Sequence, residues 1–88
     1  MSPSEFTFKL TVPNDPEGAK LVAVVATHAV EYANIGKADG AKFVERARVA
    51  ASNAMKGSSG ANCLVVVAAA NGQLTVTIGG QSVSQPLP

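Results

Sequence analysis

The chain is poor in the residues that fasten or mark small proteins. It has a single cysteine, Cys63, so no internal disulfide can brace it. Cys63 sits in an apolar run and reads as a buried, inert thiol. Tryptophan is absent and aromatic residues make up only 5% of the sequence, so a core has to be built mainly from aliphatic side chains. Charged residues are 15% and the formal net charge is +1. That near-neutral balance argues against nucleic acid as the main partner. The only histidine, His28, has no Cys, Asp or second His at ligand spacing. It reads as a partly buried, hydrogen-bonded helix residue, and neither metal nor cofactor is expected. The longest apolar run, Cys63 to Ala70, is far too short to span a bilayer as a helix. The opening MSPSEFTFKL lacks the basic segment and apolar core of a signal peptide. The expected compartment is the cytoplasm.

Apolar residues, by contrast, make up 47% of the 88 residues. A chain of this length forms one domain with a thin core. With so little charge, its surface is either rich in Ala, Thr and Ser or covered in part by a partner.

The order of elements follows from periodicity. Phe6, Phe8, Leu10 and Val12 alternate with Thr7, Lys9 and Thr11, which predicts a half-buried strand ended by Pro13. Asp15, Pro16 and Glu17 form a helix start, as cap, first residue and favourable charge. That helix is expected to run to about Ala33 or Asn34, with Leu21, Val25, His28, Ala29 and Tyr32 on its apolar face. Val24 and Val30 fall outside that stripe and are candidates for a second contact. Gly36 is the expected terminator and Asp39 the cap of a second helix over about Gly40 to Lys56. Phe43, Ala47, Ala50 and Ala54 form its stripe, and Gly57-Ser58-Ser59-Gly60 a flexible exit. Cys63 to Ala70 reads as a strand apolar on both faces. Asn71-Gly72 is a type I′ hairpin signal, and Leu74, Val76 and Ile78 alternate with Thr75 and Thr77 in the strand that follows. Gly79-Gly80 ends it.

Residues 1–80 therefore read as a single α+β domain in the order β-α-α-β-β: a three-stranded sheet with two helices on one face. Residues 81–88 read as a weakly ordered C-terminal tail.

The opening Leu10-Thr11-Val12-Pro13, the helix Arg48 to Met55 bearing Asn53, and the hairpin Leu64 to Ile78 resemble the histidine-kinase-like ATPase fold. The branch most similar is that of the anti-sigma factor serine kinases. The resemblance spans about Phe6 to Gly80 and is one of pattern and order. It implies that Asn53 occupies the position of the family's magnesium-ligating asparagine. The glutamate that the family carries one turn earlier is replaced by Val49, which has no titratable group. The turn after Ile78 is Gly79-Gly80-Gln81 and lacks the family's adenine-binding aspartate. Lid segments do not follow within this sequence.

The resemblance thus implies a scaffold without its chemistry: not an enzyme, but a regulatory protein-interaction module with Asn53 as a vestige. By the same resemblance a sigma factor or its antagonist is the kind of partner implied. The alternative is a nucleotide-binding serine kinase of the anti-sigma type, its site unusual or completed by another subunit, with Asn53 near Lys42, Arg46 and Lys56. A third reading is an unrelated α+β domain of convergent layout. Because two helices cover one face of three strands, the other face is expected to present Val65 and Val67, or their neighbours, beside Thr75 and Thr77. Those residues are the expected partner surface, and a homodimer formed by sheet-face packing or edge pairing is the expected assembly.

Overall fold

Alternating side chains at one end of the chain and small residues at helical spacing in its middle build the first three elements. They are β1 (Phe6–Pro13), α1 (Pro16–Tyr32) and α2 (Lys37–Lys56), and β2 (Asn62–Ala70), β3 (Gln73–Ile78) and β4 (Gln81–Pro86) follow. The computed structural model describes residues 5–57 and 60–87. Ser58 and Ser59 of the expected helix exit lie outside the described residues.

The α+β class is as expected, but the sheet has four strands and not three. They are antiparallel and lie in sequence order, β1-β2-β3-β4. The additional strand, β4, comes from the segment read as a tail. Gly79, at φ +57°, and Gly80 form a second two-residue hairpin that pairs Ile78 with Gln81. Their glycines read as a strand exit because only Val83 in the following Gln-Ser-Val-Ser-Gln is a large apolar residue. The first hairpin is as read: Asn71 and Gly72 both have positive φ, as a type I′ turn requires.

Capping fixes the helix limits. The Asp15 side chain accepts a hydrogen bond from the Gly18 amide at 3.0 Å. At the other end of α1, Asn34 takes the left-handed conformation at φ +59°, the amide of Ile35 donates to Val30 and that of Asn34 donates to Glu31. This is a Schellman closure with asparagine where glycine is commoner, so Asn34, not Gly36, ends the helix. Gly36 instead precedes α2, which starts at Lys37 and places Asp39 in the first turn. There its carboxylate favours the positive end of the helix.

The helices cover one face of the sheet. α1 packs mainly over β1 and β2, α2 over β4 and β3. Between the layers lie Val12, Val22, Phe43, Val65, Val67, Leu74, Val76 and Ile78, each almost wholly buried. α1 is rotated about a quarter turn from the expected stripe. Its buried residues are Gly18, Ala19, Val22, Ala26, Ala29 and Val30. Small side chains bring the helix close to the sheet, and the larger Leu21, Val24 and Tyr32 are left exposed at its flank. His28 is exposed with them rather than partly buried, its Nδ1 3.8 Å from Glu31.

Candidate functional site

Asn53 lies in the last turn of α2 and is exposed. It borders a shallow groove of about 310 Å³ between α2 and β4, which Glu45, Arg46, Val49, Gln81 and Val83 also line. Glu45, Val49 and Asn53 are spaced four residues apart and so share one side of the helix. Val49 thus places an isopropyl group, 43% exposed, between a carboxylate and an amide. The far wall is β4, absent from the three-strand reading.

The charges at this groove have local partners. Both Glu45 oxygens accept from Arg48, at 2.8 and 2.6 Å. That bond holds the Glu45 carboxyl below its ordinary range and raises the Arg48 guanidinium. Arg46 crosses to β4, where it donates to the Ser84 carbonyl at 3.0 Å and to Gln85 Oε1 at 3.2 Å, and its guanidinium carbon lies 5.8 Å from the Phe43 ring centre. Of the three basic residues expected together, Lys42 and Arg46 share a surface with Gln85. Lys56 belongs instead to a cavity of about 450 Å³ at the other end of α2, beside Lys20, Arg48 and Asp15. Asp15 is already committed to capping α1. Among the described residues no group of three His, Cys, Asp or Glu could hold a metal ion.

The expected partner surface needs correcting. Val65 and Val67 point toward the helices and have no exposed area. Their register partners in β1, Leu10 and Phe8, share that face. The open face carries the other parity of β2, with Leu64 exposed and Val66 and Ala68 half-buried. Thr75 and Thr77 are half-buried there as expected, beside Val66 and Ala68 in register. Thr75 and Ser84 hydroxyls are 3.1 Å apart and those of Thr77 and Ser82 3.4 Å, a polar ladder across β3 and β4. Both parities of this strand are apolar, so periodicity alone could not orient it.

Sequence reasoning missed a second surface. Phe8, Leu21, Val24 and Tyr32 are 42%, 45%, 53% and 64% exposed, and they form four of the six exposed large hydrophobics among the described residues. All four lie on β1 or on the α1 flank. Phe6 joins them, stacked on Phe8 at 5.9 Å and edge-on to Tyr32 at 5.2 Å. The signal was present in the alanines and Gly18 of α1, whose own stripe competes with the larger one.

Among the described residues no helix is long and apolar enough to cross a membrane. Comparison with family models, with curated proteins and with solved structures gives no match.

Proposed function

We propose that this chain is a non-catalytic, regulatory protein-binding module, a counterpart of the anti-sigma kinase scaffold that works in the cytoplasm without a cofactor. The observation that carries the reading is the exposure of Phe8, Leu21, Val24 and Tyr32 along β1 and α1, with Phe8 and Tyr32 joined through Phe6. A contiguous apolar patch on a surface otherwise of mixed character marks a protein-interaction site. Val49 in the Asn53 groove supports the non-catalytic part, because a phosphoryl-transfer site needs a group that positions or deprotonates the nucleophile. By resemblance, a sigma factor or its antagonist belongs to the class of partner such a module would bind.

One observation favours the alternative, a nucleotide-binding kinase of the anti-sigma type. Glu45 lines the same groove as Asn53, two turns away. Its carboxylate, however, is held by Arg48. Calorimetric titration with ATP, with and without magnesium, separates the two readings. The expected result is no binding heat and no turnover. Magnesium-dependent turnover that disappears in Asn53→Ala would sink the proposal.

A further inference from the structure

The two edges of the sheet are finished differently. β4 ends in Pro86, and its Ser84 carbonyl already accepts a hydrogen bond from Arg46. β1 has its one proline at its last residue and pairs on one side only, with β2. A strand edge of this kind, with aromatic and aliphatic side chains along it, is a template for another strand.

The helix above extends that edge into a wall. Val30 is directed at α2, where it fills the space a side chain at Gly40 would need. Nine residues at about 100° each put Leu21 half a turn from Val30, so Leu21 faces away from α2. His28 and Tyr32 follow Leu21 at helical spacing, and the Tyr32 ring meets Phe6 of β1 edge-on.

We infer that this wall binds a second copy of the chain, with β1 antiparallel to β1 and α1 antiparallel to α1, giving a continuous eight-stranded sheet under four helices. The inference rests on the binding-module reading and names its partner.

Spacing favours a copy over a foreign chain. Each helix of the monomer takes two strands, and two strands span about 10 Å. Packed helices lie about 8–10 Å apart. Pairing β1 with β1 carries the same interval across the two-fold axis, so the two α1 helices meet at packing distance. The axis positions agree as well. From the corner where Gly18 abuts Pro13, β1 runs at about 3.3 Å per residue and α1 at about 1.5 Å. Leu10 and the midpoint between Lys20 and Glu31 then lie at about 10 and 11 Å from that corner, and one axis serves both.

Charge points the same way. With the helices centred between Val25 and Ala26, Lys20 comes opposite Glu31 of the partner subunit, twice by symmetry, and Leu21 lies two residues, about 3 Å, from the level of Tyr32 of the partner subunit. Both side chains are over 70% exposed on the rim of the stripe. Centring the strands on Leu10 sets Lys9 against Thr11 of the partner subunit. Centring them one residue earlier would oppose Lys9 to itself, which is destabilising. A wall about 25 Å long and two layers, about 20 Å, deep offers on the order of 500 Å² per copy before side-chain relief. Two such walls reach the roughly 1,000 Å² that a specific interface needs.

Sedimentation equilibrium of the full chain over micromolar to high-micromolar concentration tests this, with circular dichroism as the check on folding. The expected result is a wild-type dimer whose dissociation constant rises at least about tenfold in Leu21→Lys. Lys20→Glu alone is expected to weaken it, and adding Glu31→Lys to restore it. A dimer that Val66→Lys on the open face breaks and Leu21→Lys does not would overturn the inference. So would a wild-type monomer throughout, a result that leaves the non-catalytic reading to the nucleotide titration.

Discussion

Gly18 lies against the carbonyl oxygen of Pro13 so closely that a β-carbon at residue 18 would overlap that oxygen and come within 2.9 Å of the Met55 methyl. Glycine is what lets α1 fold back along β1 at this corner. Gly18→Ala is expected to destabilise the chain by about 1–3 kcal/mol, the usual range for forced overpacking. Gly40→Ala meets the Val30 side chain rather than backbone, so a smaller loss is expected. Urea unfolding of both variants checks the order, and a larger loss at Gly40 would contradict it.

Neighbouring valines of β2 are expected to respond in opposite ways to the same substitution. Val67→Lys places an ammonium between sheet and helices, where Val67 has no exposed area, and unfolding is expected. Val66→Lys points into the open face beside Thr77 and should keep the circular dichroism spectrum and most of the stability. Equal effects at the two positions would mean that β2 is turned the other way.

The Glu45–Arg48 pair gives a pH signature. Its hydrogen bond to Arg48 depresses the Glu45 carboxyl in the folded state. A depressed acid contributes stability above its unfolded value and loses it as pH falls through the lower, folded one. Nuclear magnetic resonance titration should find Glu45 below the ordinary carboxylate range, and Arg48→Ala should move it back up. The pair is exposed, so a small effect on overall stability is expected. An unchanged titration in Arg48→Ala would remove Arg48 as the cause.

Periodicity made most of the fold legible, and its failures share a cause. Alternation found β1 and β3, and the Asp15-Pro16 start and Asn71-Gly72 turn were read correctly because each depends on local backbone chemistry. β4 was missed because an edge strand held by main-chain pairing and a hydroxyl ladder needs little apolar alternation. The orientation of β2 was invisible in a run apolar on both faces. The rotation of α1 follows closeness of approach rather than residue size, set by Ala19, Ala26 and Ala29. Asn53 and Val49 were placed on the right helix, but the groove they share has β4 as its other wall. The β1–α1 surface follows from these same misreadings, since it consists of the large side chains that a correct rotation of α1 leaves outside.

The turns also divide the chain by folding time. β2, β3 and β4 are joined by two-residue hairpins, and such units form in on the order of microseconds. β1 meets β2 only after everything from Asn14 to Ala61 has been looped out, a loop closed at its neck by the Asn14 amide donating to the Ala61 carbonyl at 3.0 Å. Closing that loop costs entropy that only the finished α1–α2 layer offsets. The strand whose free edge is proposed to take a second copy thus makes the longest-range pairing of the sheet, so that association and the costliest closure of folding draw on the same strand.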